Sequence, residues 1–225
     1  ILTSIAFGTK ISFDQVHIEG IKHISPYDFE FAEELGYRIK LLGITRFSET
    51  GIEQRVHPCM VPLEAPIAHI EDVFNVVVVH GDQAGTTMFE GRGAGSGPTS
   101  SAIVADLMDI ASGRISSPFG IPISQLKTPI FADMAGRKAS YYVRFTVIDQ
   151  PGVFADIASA LRDNNVSMER IIQRGRAPGE SVQVVLTTHE SSEESMLATI
   201  RSIDEQVAVV APTRMIRIEP NLFLS

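Results

Sequence analysis

Residues 89–113 read FEGRGAGSGPTSSAIVADLMDIASG, a glycine-rich loop that leads into a run with helical periodicity. The glycines stand at alternate positions: Gly91, Gly93, Gly95 and Gly97. Pro98 suits the first turn of a helix, and Gly113 suits the position just past its end. Backbone N–H groups at a helix N-terminus attract phosphate or carboxylate groups. The spacing differs from the Gly-x-Gly-x-x-Gly of a dinucleotide-binding turn. The residues alone therefore leave open whether this loop is a tight turn or contacts a ligand.

The composition is that of an ordinary globular chain. Its 225 residues allow one or two domains, with 44% hydrophobic and 20% charged residues. The formal net charge is −8, and no basic patch stands out, so nucleic acid and anionic membranes are not predicted as partners. The longest apolar runs, such as Val76–Val79, are far too short to cross a bilayer.

The single cysteine and the scattered histidines predict no disulfide framework and no metal site. One cysteine, Cys59, is typical of a protein from a reducing, cytoplasmic compartment. Its apolar neighbours favour a small core residue over a nucleophile. His57, His69 and His80 lack metal-ligand spacing, which favours structural roles.

The charged residues give no catalytic arrangement on sequence grounds. Solvent-facing roles are predicted for a set of five acidic residues and one lysine: Glu64, Glu71, Asp72, Asp106, Asp109 and Lys40.

The first half predicts a mixed sheet of four or five strands packed against two or three helices. Ile1–Phe7 reads as the end of a buried helix, and Ser25 is expected to cap a helix with Tyr27, Phe31 and Leu35 inward. Strands are predicted at Arg38–Phe47, at Ile52–Pro62 and at 86–90. The run Val76–Val79 predicts a central strand buried on both faces. Prolines and glycines at 117–139 indicate a linker.

The last 85 residues have the order βαββαβ, which is the ferredoxin-like arrangement with helices on one face of an antiparallel sheet. Strands are predicted at 143–147, 166–174, 181–188 and 207–218, with a hairpin turn at Ala177–Glu180. Two helices lie between them. The first bears Phe154, Ile157, Ala158 and Leu161 inward, and the second, capped by Ser191 or Ser192, bears Met196, Ile200 and Ile203.

The glycine stretch resembles the glycine motif of homoserine dehydrogenases. The similarity rests on Gly91–Gly95, Pro98-Thr99 and Ala105–Ala111, and further matches occur at 1–9, 19–21 and 36–43. The resemblance implies that Gly91, Gly93 and Gly95 contact NADP or NAD, held mostly by an N-terminal nucleotide-binding domain. It places the catalytic aspartate and lysine upstream of Ile1. We therefore expect a C-terminal portion of a longer enzyme, inactive alone and without a tightly bound cofactor.

Residues 149–154 and 165–167 resemble an ACT domain. In such domains the loop between the first strand and the first helix commonly meets an amino-acid ligand, which here implies Asp149, Pro151, Gly152 and Val153, with Asn165 as a weaker match. Threonine is the effector that the two resemblances together imply. The residues leave a second possibility open, namely that the module only holds subunits together.

These inferences give an α+β fold with three segments. Residues 1–116 are expected to be a partial substrate and dimerisation domain, 117–139 a linker, and 140–225 the ACT domain, with the chain forming a homo-oligomer through both domains. The alternative is a non-catalytic amino-acid sensor or assembly module. Another ACT-bearing enzyme, such as an aspartokinase or a phosphoglycerate dehydrogenase, would leave Gly91–Ala111 unexplained.

Overall fold

The computed structural model describes residues 1–114, 116–175 and 178–220. Ala177, at the start of the predicted hairpin turn, lies outside the described residues. The elements in chain order are α1 (Leu2–Phe7), β1 (His17–Ile18), α2 (Pro26–Glu34), β2 (Tyr37–Ser48), β3 (Gly51–Pro62), β4 (Phe74–Gly81), β5 (Gly85–Arg92), α3 (Ser96–Ala111), β6 (Lys138–Ile148), α4 (Val153–Asp163), β7 (Met168–Gln173), β8 (Ser181–Thr188), β9 (Ser191–Ser192), α5 (Glu193–Asp204) and β10 (Val209–Ile218).

Within the described residues, eight strands form one mixed sheet that runs through both halves of the chain. Strand β3 pairs antiparallel with β2 along its whole length on one edge. On its other edge it pairs in parallel first with β1, at Arg55 and Val56, and then with β10, at Cys59 and Met60. The sheet continues from β10 through β6 and β8 to β7. The predicted α+β class with a ferredoxin-like C-terminal part is confirmed.

Helices α4 and α5 cover one face of the C-terminal strands and enclose the largest apolar core. Val143, Phe145 and Val147 of β6 point into it, as predicted from their alternation. The α4 face is rotated from the prediction: Phe154 is 41% exposed, whereas Val153 is buried. Positions 153, 157 and 161 recur at the same helical spacing, so periodicity alone did not separate the two faces.

The opposite face of these strands is covered by α2, from the first half of the chain. Phe31 and Leu35 of α2 pack with Tyr142 of β6 and Ile216 of β10. The two helices of the C-terminal part thus lie on one face of its strands, as predicted, and a helix from the first half of the chain covers the other face. Tyr27 was predicted on the same apolar stripe but is exposed.

The hairpin of β4 and β5 stands apart from the main sheet as a two-stranded sheet. The prediction of a central strand at Val76–Val79 is wrong. Val76 and Val78 pack partly against a small core, but Val77 and Val79 are 44% and 48% exposed. A run of β-branched residues fits any strand, so composition alone did not reveal that only one face is covered.

The segment between the halves packs on the first half. Ile52 N–H donates to the Ile130 carbonyl (2.8 Å), and Ala132 N–H donates to the Ile52 carbonyl (3.1 Å). Gly51 has φ 134°, and a Cβ there would lie 2.5 Å from the Ile130 oxygen, so this approach requires glycine. The boundaries at 117 and 139 stay a prediction.

Helix α1 ends at Gly8 as predicted, yet only Ser4 within it is buried. Ile1 and Leu2 are 76% and 65% exposed, so the expectation of a buried helix is wrong for this chain. No helix among the described residues is both long and apolar enough to cross a bilayer.

Candidate functional site

The glycine loop lies between the end of β5 and the start of α3. Gly93 N–H donates to the Val73 carbonyl (2.8 Å), which holds the loop against the start of the hairpin. Gly95 has φ 118° and precedes the first turn of α3. The helix begins at Ser96, two residues before the predicted start, so Pro98 is its third residue rather than its first.

The loop is open to solvent. Every residue from 91 to 97 is exposed, and no side chain of the described residues caps α3. The first N–H groups of this 16-residue helix are thus free of a side-chain partner beside a loop with almost no side chains. A Cβ on Gly91 would meet nothing within 4 Å, whereas a Cβ on Gly93 would lie 1.6 Å from Asn75 Nδ2. The geometry suits close contact with an anionic or extended ligand.

An apolar surface adjoins the loop. Helix α3 contains no buried residue, although Ile103, Leu107 and Ile110 are all apolar and more than half exposed. Met88 and Phe89 of β5 are exposed as well. An amphipathic or apolar helix gains its stability from a partner face, so this exposed apolar surface is suited to packing against another element.

The four loop residues of the proposed effector site are gathered at the end of β6 and the start of α4. Asp149 N–H donates to the Glu180 carbonyl (2.8 Å), and the Asp149 carbonyl accepts from Gly179 N–H (2.9 Å). Gly152, with φ 99°, precedes α4, and Val153 is buried beneath it. Pro151 is exposed. This arrangement holds the backbone of Asp149 four residues before the first residue of α4.

Asn165 lies at the other end of α4. Its φ of 57° lies in the left-handed region, just past the end of the helix. Helix α4 has 11 residues, which corresponds to about 16 Å, so one copy of the chain does not bring Asn165 beside Asp149.

A buried ion network, which the sequence analysis missed, lies where β1, β10 and α5 meet. Arg217 of β10 donates from Nη1 and Nη2 to both carboxylate oxygens of Glu19 (3.0 and 2.7 Å). Its Nε donates to Glu193, the first residue of α5 (3.0 Å), and Tyr141 Oη also donates to Glu193 (3.0 Å). Burial raises the pKa of Glu19, but the bonds from Arg217 and His17 outweigh it and lower that pKa to about 2.

A second set of charges adjoins the first at the end of β10. Glu219 accepts from Arg55 Nη2 (3.3 Å) and from Arg137. Arg55 Nε also donates to His57 Nε2 (3.1 Å). Burial lowers the pKa of His57 to about 4, aided by the nearby Arg217 and Arg55 charges and opposed by the Pro58 carbonyl. His57 is therefore neutral at physiological pH.

His57, Cys59 and Glu219 bring three metal-ligand types within 4.8 Å of one another. Two guanidinium groups already occupy Glu219, and a cation added beside them would be repelled. Burial raises the pKa of the Cys59 thiol. The raised pKa disfavours the thiolate, which is the form that binds a metal or acts as a nucleophile. This arrangement suits a structural role for the three residues, and Cys59 is fully buried, as its apolar neighbours predicted.

Asp28 gives the α2 face its own buried ion pair. It accepts from Arg144 Nε (2.7 Å) and Nη2 (3.1 Å) and from Tyr142 Oη (2.9 Å). Ser25 N–H and Oγ donate to Oδ2 of Asp28 (2.7 and 2.9 Å), the same oxygen that accepts from Arg144 Nη2, and this completes the predicted start of α2. Burial opposes ionisation, but the Arg144 and Ser25 bonds hold the pKa of Asp28 below its ordinary value.

Lys40 is less open to solvent than predicted, whereas Glu71 is exposed as predicted and forms a surface ion pair. Lys40 Nζ donates to the Ile70 carbonyl, and burial together with the Arg38 charge lowers its pKa. Glu71 pairs with Arg38. Hydrophobic alternation does not report such contacts between a strand and a loop about 30 residues away. Asp106 and Asp109 are exposed on α3, as predicted.

Comparisons with known proteins agree with this architecture. Residues 1–108 match the family model described as homoserine dehydrogenase, and residues 141–205 match the ACT domain model. Homoserine dehydrogenase from Neisseria gonorrhoeae is 38% identical over 225 residues, covering 97% of this chain and 52% of that protein. The Helicobacter pylori enzyme is 36% identical over 219 residues, with the same coverage.

A solved structure gives the same result. The homoserine dehydrogenase of Thiobacillus denitrificans superposes with a TM-score of 0.85 at 39% identity, covering 97% of this chain and 51% of that one. The chain spans about half the length of the curated relatives it matches. Its fold, its glycine loop and its C-terminal module thus place it in the homoserine dehydrogenase family, as the region in which the family's domain is followed by an ACT domain.

Proposed function

We propose that this chain is the C-terminal part of a homoserine dehydrogenase, which interconverts L-aspartate 4-semialdehyde and L-homoserine with NADP or NAD in threonine and methionine biosynthesis. The observation that supports this most directly is the exposed glycine loop at the uncapped start of α3, beside an apolar surface that has no cover. A nucleotide-binding domain supplied by other residues of the protein would cover that surface. The nicotinamide cofactor, when bound, supplies the hydride chemistry.

The residues present fit one part of a cofactor site. Gly91 and Gly95 leave backbone accessible, and the first turn of α3 offers N–H groups to an anionic group. This chain is proposed to contribute close packing and orientation, while the acid–base residues come from outside it. We therefore expect the 1–225 chain to be inactive alone and to bind no cofactor tightly. Measurable homoserine oxidation by the pure chain, followed through the absorbance of reduced cofactor, would contradict this.

Substitutions in the loop test the cofactor contact in the gene product expressed at its full genetic length. Gly91→Ala adds a methyl group that meets nothing within this chain, so folding should be preserved. If a cofactor packs there, KM for the cofactor should rise about tenfold, which corresponds to about 1.4 kcal/mol. Gly136→Ala is the matched control, since a Cβ there also meets nothing within 4 Å and the residue lies outside the glycine loop and the first turn of α3. Equal KM values for the two variants would refute the contact.

The ACT domain is proposed to bind an amino-acid effector, with threonine the first candidate, and to signal through a coupling free energy. Asp149 beside the start of α4 provides complementary charges for the ammonium and carboxylate groups of such a ligand. Calorimetric titration with threonine, methionine and lysine tests this. Saturable heat with one amino acid that is lost in Asp149→Asn supports sensing. Heat with none of the three supports the second candidate, an assembly role.

Oligomerisation is the other proposed role of both domains. Strand β7 is an edge of the sheet, and Met168 and Ile171 on it are 42% and 41% exposed. An exposed edge strand is a natural site for pairing with another copy. Pairing of two ACT domains would also allow Asn165 of one copy to approach a ligand held by the other. Analytical ultracentrifugation should show a concentration-dependent dimer or larger assembly; a monomer at all concentrations would refute this.

The proposed location is the cytoplasm. The one cysteine of the sequence is a buried free thiol, which is consistent with a reducing compartment.

A further inference from the structure

The strands of the two domains share one sheet, and a buried arginine crosses the boundary between the domains on each face of it. On the face toward α4 and α5, Arg217 of β10 binds Glu19 of the first half and Glu193 of α5. On the opposite face, Arg144 of β6 binds Asp28 of α2. We propose that these two arginines join the homoserine dehydrogenase region and the ACT domain into one cooperative unit, so that neither opens or moves as a separate body.

The two contacts lie on opposite faces because neighbouring residues of β6 alternate. Tyr141 belongs to the core under α4 and α5 and donates to Glu193, whereas Tyr142 belongs to the core under α2 and donates to Asp28. Arg217 lies beside Tyr141 in the ladder of β10 and β6. A hinge motion about the shared strands would therefore have to break charged contacts on at least one face, whichever direction it took.

The burial of these groups makes the contacts hard to break. The side chain of Arg217 is 2% exposed, although that of Glu19 is 38% exposed, and Asp28 on the other face is 1% exposed. Separating the domains would take Glu19 away from Arg217 and would leave Arg144 without the carboxylate of Asp28. Removing one member of a buried ion pair leaves a charge without compensation, and this is far more costly than losing a surface pair.

The backbone reinforces the same boundary. Residues 217 and 218 of β10 pair in parallel with Cys59 and Met60 of β3, and Glu219 N–H donates to the Met60 carbonyl (2.9 Å). Arg55 of β3 and Arg137, which precedes β6, both bind the carboxylate of Glu219. The two domains are thus connected by main-chain and side-chain contacts at the end of β10. The proposed coupling of the domains is the same whichever effector the ACT domain binds.

Native-state hydrogen exchange on the 1–225 chain at increasing urea tests the proposal. In the unmodified chain, the slowest amides of β3 and of β8 should show the same free energy of opening and the same dependence on urea. Two distinct opening reactions, one for each domain, would overturn the proposal.

Three variants identify the contacts responsible. Arg217→Met should lower protection by about a hundredfold or more in β3 and in α5 together, because it leaves two carboxylates unpaired. Glu19→Gln removes the charge of the inter-domain contact, together with that of the His17 contact, but leaves Arg217 paired with Glu193. It should lower protection in β3 by about tenfold, and it serves if Arg217→Met fails to fold. Arg174→Met is the matched control, because Arg174 joins Glu30 and Glu34 across the same boundary at an exposed site.

The control should lower protection less than about fivefold, as expected for exposed ion pairs. A loss of protection confined to α5 in Arg217→Met, or an equal loss in Glu19→Gln and Arg174→Met, would overturn the assignment to buried charge.

Discussion

Replacing Asp28 by asparagine should destabilise the whole chain rather than only the start of α2. The aspartate accepts two bonds from Arg144, one from Tyr142 and two from Ser25, and it is 1% exposed. Asparagine has nearly the same volume but turns one acceptor into a donor that faces other donors. The guanidinium of Arg144 then stays buried without a counter-charge.

The size of the effect follows from this geometry. Breaking a buried ion pair by changing one partner costs about 3–5 kcal/mol, out of the roughly 5–15 kcal/mol that stabilises a typical domain. Urea unfolding of the 1–225 chain, followed by far-UV circular dichroism, measures the loss. Glu33→Gln on the same helix, at an exposed position, should change the free energy of unfolding by less than about 0.5 kcal/mol.

The pH dependence gives an independent check. The pKa of Asp28 is lower in the folded chain than its ordinary value of 3.8, so its stabilising effect is complete above that pH and is lost as the pH falls below it. The difference in the free energy of unfolding between the unmodified chain and Asp28→Asn should therefore become smaller in acid. A loss below 1 kcal/mol at neutral pH, or a difference that stays constant into acid, would refute the reasoning.

Three further predictions follow from other buried groups. The thiol of Cys59 should react with a thiol reagent only as fast as the native chain opens, because it is fully buried and its pKa is raised; rapid stoichiometric labelling of the native chain would contradict this. Gly51→Ala should lower the free energy of unfolding by about 2 kcal/mol or more, since its φ is 134° and its Cβ would lie 2.5 Å from the Ile130 oxygen. Gly20→Ala, which meets nothing within 4 Å, is its control in the same urea titration. His57, with a folded pKa of about 4 against an ordinary 6.5, should make the chain lose up to about 3 kcal/mol as pH falls from 6.5 to 4, and His57→Gln should show a shallower acid limb.

Patterns carried by local chemistry were predictable from the sequence. Ser25 and Asp28 start α2 as their spacing indicates, and Asn165 adopts the left-handed backbone that ends α4. The alternation of Val143 and Phe145 correctly identified the inner face of β6.

Properties that depend on distant partners were not predictable. Nothing within residues 26–35 indicates that this helix packs on a sheet formed more than 100 residues later. Glu19 and Arg217 are 198 positions apart and meet only because β1 and β10 share an edge of β3. Val77 reads as a core residue on composition, yet its exposure depends on what covers the hairpin. Periodicity indicates which face of a helix or strand is apolar, but it does not indicate which element packs against that face.

One edge of β3 pairs with β1 and then with β10. A relative that lacks the C-terminal domain would therefore lose one of these two partners. A version of this chain ending before residue 138 would keep β2 paired with one edge of β3. On the other edge, the main-chain groups of Cys59 and Met60 would lose β10 and could pair with a strand of another molecule. A relative without an ACT domain therefore needs a substitute at that spot, such as a proline, a charged side chain or another covering segment. Without one, removing the ACT domain would leave a strand edge that can template aggregation.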